Sequence, residues 1–284
     1  MKKVLCTFAN HFITRGFPRF KEQAESMDVF DEIIFYSQKD LGKDFRAKYG
    51  RHLYPYSRGF GYWSWKPYLI LKALELLEEG DILLYTDLGC FFNPNGRKRM
   101  MEYYDMVEKS PIGILGFRSY EKSYNGMPEN TYYEYQFTKG DILDYFGVRN
   151  DESYTQTTQF EAGIIFIRKN PQSVLFFKEW LDAIYADTSL ITDQPSRSPN
   201  LEGFVENRHD QSLYSILAKK HKIAEVSTNE LFPIGQNWDL LTDYPIWAMR
   251  DMHYPSKFHY LHRLRFRQLY NALWSLKYLF KSKS

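Results

Sequence analysis

Short apolar runs separated by stretches of helical periodicity constrain this chain more than any other feature. KVLCTFA (3–9), EIIFYS (32–37), DILLYT (81–86), IGILGF (112–117) and AGIIFIR (162–168) are strand candidates, rich in β-branched and aromatic residues. The first, third and last are continuous apolar runs, the pattern of central strands covered on both faces. PYLILKALELLEEG (67–80) reads as a helix with Pro67 in its first turn, a stripe of Leu69, Ile70, Ala73, Leu74 and Leu77, and Gly80 as its stop. NPQSVLFFKEWLDAIYA (170–186) reads as a second, capped by Asn170 with Pro171 at the first helical position. Strand–helix alternation predicts an α/β domain with a mostly parallel sheet and right-handed crossovers. Such sheets bind ligands beyond the C-terminal strand ends, which here means Thr7–Asn10, Asp87–Cys90 and the segment around Gly163. No internal repeat is present, and residues 187–203 read as a surface loop.

With 284 residues the chain can bury a substantial core. A net charge of +2 argues against a nucleic-acid partner. Aromatic content is 18%, with 23 Tyr and 22 Phe, which suits polyol binding but also arises from compositional bias. The charge is unevenly placed. No Asp or Glu follows Asp251, whereas Lys257, Arg263, Arg265, Arg267, Lys277, Lys281 and Lys283 do, leaving the rest of the chain net negative. Residues 263–284 put Phe266, Leu269, Leu273, Leu276 and Phe280 on one helical face, as in a basic amphipathic helix on an anionic membrane surface. Packing on the body or on a second subunit would give a similar pattern. Cys6 and Cys90 lie in or beside strand candidates and suggest no disulfide framework. With no signal-peptide core and no apolar run long enough to span a bilayer, the expectation is a cytoplasmic protein, peripheral on the inner face of the membrane.

Two stretches can carry chemistry. DILLYTDLGC ends a buried strand in Asp87, where a carboxylate can hold a divalent ion, although a turn aspartate followed by Gly89 fits as well. GFGYWSWKPY (59–68) packs rings, glycines and Lys66 immediately before a helix whose start favours phosphate. Of Trp63 and Trp65, one is expected to be a core residue. The tyrosine-rich 119–137 fits either an acceptor-binding loop or a solvated insertion.

Together GFGYWSWKPYLILKALELLEEGDILLYTDLGC, QFEAGIIFIRKN (159–170) and NRHDQSLYSILAKKH (207–221) resemble, in order, blocks of nucleotide-sugar-dependent glycosyltransferases of the GT-A fold, in particular bacterial enzymes of capsule and lipopolysaccharide O-chain synthesis. The resemblance covers roughly residues 1–265 and implies one Rossmann-like GT-A domain (1–262) followed by the basic segment 263–284. It implies donor contacts from Thr7, Phe8, Asn10, Lys66, Asp87, Gly89, Ala162, Gly163, Gln211, His262 and Arg263. It also implies acceptor contacts from Tyr62, Trp63, Trp65 and His209, and catalytic carboxylates at Asp210 and Glu161. Asp87 matches the first carboxylate of the family's metal-binding Asp-x-Asp, with Mn2+ or Mg2+ as the cofactor. Gly89 stands in place of the second carboxylate, so Lys66, Arg263 and Arg265 are the alternative neutralisers of a diphosphate.

The expected reaction moves a sugar from a nucleoside diphosphate sugar, a UDP-sugar first among them, to a hydroxyl of a glycan or lipid-linked acceptor. Two rivals remain at this point. A sugar-phosphate nucleotidyltransferase would want a glycine-rich phosphate loop directly after the first strand, and FANHFITRG has only the late Gly16. A catalytically degenerate, membrane-attached sugar-binding protein draws its support from Gly89.

Overall fold

Strands that are apolar on both faces need cover on both, and β1 (Lys3–Ala9), β3 (Ile82–Thr86) and β6 (Phe160–Arg168) receive it. The computed structural model describes residues 1–54, 57–119, 131–233 and 237–250. With β2 (Glu32–Ser37), β5 (Ile114–Arg118) and β7 (Ala224–Ser227), these strands form one six-stranded sheet in the order β2-β1-β3-β6-β5-β7. On one face Val4, Cys6, Phe8, Leu83, Tyr85, Ile165 and Ile167 pack under the helices Trp65–Glu75, Pro171–Ala186 and Asp210–His221. On the other, Leu5, Ile82, Leu84, Ile164 and Phe166 meet the helices Phe17–Ser26 and Arg97–Lys109. Trp180 and Phe166 are fully buried, one in each core. Truncating either to alanine is expected to cost about 3–5 kcal/mol.

The architecture is the expected one, a mostly parallel sheet flanked by helices. β1 runs parallel to β2 and β3, and β5 runs parallel to β7. β6 is the exception, antiparallel to both β3 and β5. Its reversal has a functional consequence: the first residues of β6, rather than its last, stand at the C-terminal ends of β1 and β3. A two-stranded sheet of β4 (Phe91–Phe92) and β8 (Ile246–Trp247) flanks this edge.

Local signals behave as their chemistry dictates, with shifted bounds. Asn170 caps its helix by accepting from the Ser173 N–H at 2.7 Å. The preceding helix begins at Trp65 and ends at Glu75, and Gly80 instead makes the turn into β3 at φ +92. The loop over 187–203 is pinned: Leu190 and Ile191 are buried, and the Lys139 ammonium caps the carbonyls of Ser189, Thr192 and Gln194. Among the described residues no helix is long and apolar enough to cross a membrane. Residues 263–284, with His262, Arg263 and Arg265, lie outside the described residues.

Candidate active site

The strand ends, the start of β6 and the N-terminus of the Asp210–His221 helix enclose a cleft of about 460 Å³, a size that suits a small ligand. Phe8, Asn10, Trp63, Trp65, Lys66, Asp87, Gly89, Glu161, Ala162, Gly163, His209, Asp210 and Gln211 all line it. Thus 13 of the expected site residues meet in one place. Thr7 and Tyr62 do not. Thr7 is buried within β1, where alternation turns it away, and Tyr62 packs near His52 and His209 behind the wall. Trp65 is the core member of the tryptophan pair: it stacks on Phe8 at 3.9 Å and donates its indole N–H to the Gly59 carbonyl. Trp63 is the half-buried ring left for the cleft.

The electrostatic centre is Lys66, whose side chain is only 3% exposed. Its Nζ lies 2.8 Å from Asp210 Oδ2 and 3.6 Å from Asp87 Oδ1. It also donates to the Ala162 carbonyl at 3.0 Å. Lys66 is therefore a buried hub between two carboxylates, not a cation standing free at the helix start. Burial opposes its charge, but Asp210 and Asp87 outweigh that and hold its pKa above the ordinary lysine value. Burial pushes the Asp210 carboxyl up to about 6, against the pull of Lys66, and Asp87 adds to the rise.

Asp87 is the exposed partner, with 41% of its side chain accessible. Its Oδ1 accepts from the Tyr85 hydroxyl at 2.6 Å, and its N–H donates to the Gly163 carbonyl at 2.8 Å. A Cβ on residue 163 would stand 3.1 Å from Asp87 Oδ2, so glycine keeps that oxygen open. Arg19 fixes the following turn, donating to the carbonyls of Leu88 at 2.6 Å and Cys90 at 2.5 Å. Among the described residues no three His, Cys, Asp or Glu side chains gather as a metal cage. A divalent cation on Asp87 would therefore need further oxygens from its ligand, which suits a hard ion bound with a diphosphate.

One wall of the cleft is held in strained backbone. Gly59, Phe60, Gly61, Tyr62 and Trp63 all have positive φ, forming a left-handed turn. For its three non-glycine members the cost is roughly 3–6 kcal/mol. The Ser57 hydroxyl accepts from the Gly61 N–H at 2.7 Å, and the Trp63 N–H reaches the Gly59 carbonyl at 3.3 Å. A Cβ at Gly59 would come within 2.2 Å of the Trp63 ring, so the indole lies flat on that glycine. Trp63 faces His209 at 5.8 Å between ring centres. His209 is itself an outlier at φ 56, ψ −120. Its Nδ1 is 2.7 Å from the Ile191 carbonyl, which can only accept, so Nδ1 carries the proton. Burial lowers its pKa and keeps it neutral.

Several lining residues carried no sequence signal. Arg250 pairs with Glu161 at 3.2 Å, across 89 positions of sequence. Arg58 pairs with Asp193 at 3.4 Å and Glu206 at 3.7 Å, while Arg208 lies 3.9 Å over Tyr132. Only spatial closure brings these groups together.

No protein-family model and no curated sequence matches the chain. Among solved structures it is similar to a glycosyltransferase involved in glycosylation of the major capsid of PBCV-1, at 11% identity and a TM-score of 0.45, covering 91% of this chain and 98% of that one. It is similar to mouse xyloside xylosyltransferase 1 at 9% identity and a TM-score of 0.47, covering 90% and 100%. It is also similar to the galactosyltransferase LgtC solved with donor and acceptor sugar analogs, at 11% identity and a TM-score of 0.42, covering 94% of each chain. At such identities and scores the likeness assigns no activity to the chain and no role to any residue.

Proposed function

We propose that this cleft transfers a sugar from a nucleoside diphosphate sugar to a hydroxyl of a glycan or lipid-linked acceptor, as a GT-A glycosyltransferase does. The observation that carries the reading is the grouping of Asp87 and Asp210 around buried Lys66, in one cleft with Glu161 and the half-buried Trp63 indole. Carboxylates, with that of Asp210 pushed by burial up to about 6, beside a flat apolar ring suit a polyol whose reacting carbon gains positive charge. UDP-sugars are the first donors to try, in the synthesis of bacterial surface polysaccharide, with residues 263–284 holding the enzyme to an anionic membrane.

Each residue then has a task. Phe8 and Asn10, at the end of β1, meet the nucleoside. Asp87, with its open Oδ2, holds a Mn2+ or Mg2+ ion, which when bound offsets charge on the diphosphate. Lys66 keeps Asp210 and Asp87 in place. Trp63 and His209 orient the acceptor and exclude water. Asp210 and Glu161 serve as base towards the acceptor hydroxyl or stabilise the charged sugar face, according to the stereochemical course.

Thermal-shift titration with UDP, GDP, CMP and ADP, in Mn2+ and in EDTA, tests this. One nucleoside diphosphate should raise the melting temperature, and EDTA should weaken the rise. An equal rise in EDTA would remove the cation from the account. No rise with any nucleotide would overturn the reading in favour of a binding protein for another ligand.

A further inference from the structure

Gln211, Ser215 and Lys219 recur every four residues along one face of the Asp210–His221 helix, and all three address the same buried polar layer. At its centre is Glu134, fully buried. Its Oε1 accepts from Lys219 Nζ at 3.0 Å and from the Ser215 hydroxyl. Its Oε2 accepts from the Thr138 hydroxyl at 2.5 Å and from Gln159 Nε2 at 3.1 Å. Four donors satisfy this carboxylate without solvent.

The layer has a direction. Gln159 Nε2 stands against Glu134 Oε2, the Phe137 carbonyl at 3.2 Å and Thr138 Oγ1 at 2.9 Å. The carboxylate and the carbonyl can only accept, so turning the amide over would set oxygen against oxygen. Gln159 Oε1 must then face the other way, where it lies 3.1 Å from Gln211 Nε2. Gln211 lines the cleft two positions from His209 and next to Asp210.

We propose that the Lys219–Glu134–Gln159 chain sets the amide orientation of Gln211, committing one of its N–H groups inward so that its oxygen is presented to the cleft as an acceptor for a ligand hydroxyl. Gln159 and Glu134 are thus positioning residues, acting on a polyol through Gln211. The hydroxyl-bearing ligand rests on the sugar-transfer reading above; the orientation of Gln211 does not. The chain also gives the Glu134 region a purpose that its place within the tyrosine-rich stretch does not suggest.

The test has two arms. In protein labelled with 15N at glutamine side chains, one Gln211 amide proton should exchange slowly with solvent, and Gln159→Leu should make it exchange fast. Unchanged exchange would overturn the orientation claim whatever the protein binds. In calorimetric titrations with UDP, UDP-glucose and UDP-galactose, Gln159→Leu should weaken the better-bound UDP-sugar by about tenfold and leave UDP unchanged. Gln211→Met, which removes the cleft oxygen and leaves Glu134 with its four donors in place, should show the same selective loss. Equal loss for UDP and UDP-sugar, or no selective loss in Gln211→Met, would overturn the positioning role. Failure of the wild type to bind any of the three overturns the choice of UDP-sugars as ligand and with it the ligand half of the proposal, while the exchange arm still decides the orientation.

Discussion

Two buried lysines, each about one hydrogen bond from a carboxylate, behave differently because of how the charge is shared. Lys66 and Asp210 are 2.8 Å apart; Lys219 and Glu134 are 3.0 Å apart. Asp210 and Lys219 sit on one helix, nine residues and about 14 Å apart along its axis. Lys66 serves two carboxylates, one of them exposed to the cleft, so the site carries surplus negative charge. Its lysine is held above the ordinary value by those carboxylates, and burial, with Asp87 adding to the rise, pushes Asp210 up to about 6. Glu134 has one lysine and three neutral donors to itself, and there burial wins over the carboxylate, pulling Lys219 down to about 8. The first arrangement leaves a carboxylate poised near neutrality at an open cleft. The second closes a polar layer behind it.

The strongest way to break this comparison is to remove one member of each pair. Lys66→Met and Glu134→Ala each leave a buried charge uncompensated and should lose about 3–5 kcal/mol in denaturant unfolding. Only Lys66→Met should also abolish nucleotide binding, and equal effects of the two on binding would erase the distinction. A pH series sharpens it at intermediate size. Asp210 binds its proton more tightly when folded, so stability falls as pH rises from 3.8 through about 6, and Asp210→Asn should flatten that window. Lys219 binds its proton less tightly when folded, so stability should rise between about 8 and 10.5, and Lys219→Met should flatten that one. Activity should rise with pH through about 6, as Asp210 becomes an anion. The smallest effect is expected at Gly163, where alanine would place a Cβ 3.1 Å from Asp87 Oδ2. Titration should show a few-fold loss of cation-dependent nucleotide affinity with the melting temperature nearly unchanged.

Much of the first region was legible in the sequence. Continuous apolar runs revealed β1, β3 and β6 because both of their faces are covered, and the strand-end rule pointed to Asp87, whereas Gly163 reaches the cleft from the start of a reversed strand. Apolarity carries no direction, however, so the reversal of β6 could not be read. Nor could the left-handed turn: Gly59 and Gly61 permit positive φ, but Phe60, Tyr62 and Trp63 ordinarily forbid it, and the Ser57–Gly61 hydrogen bond that closes the turn has no signature of its own in the sequence. The second region was not legible, and residues 120–130 of the tyrosine-rich stretch lie outside the described residues. Glu134 sits in a tyrosine-rich stretch that suggested a solvated insertion or an acceptor loop, yet it is fully buried. Its four donors come from positions 138, 159, 215 and 219, and no local pattern announces such a convergence.

The central claim is that the Lys66 centre is a reaction site, and donor hydrolysis tests it most directly. Purified protein, incubated with UDP-sugars and Mn2+ in the absence of acceptor, should slowly release UDP, and Asp87→Asn should reduce that release by at least about a hundredfold. No release from any donor, or equal release by wild type and Asp87→Asn, would contradict the account.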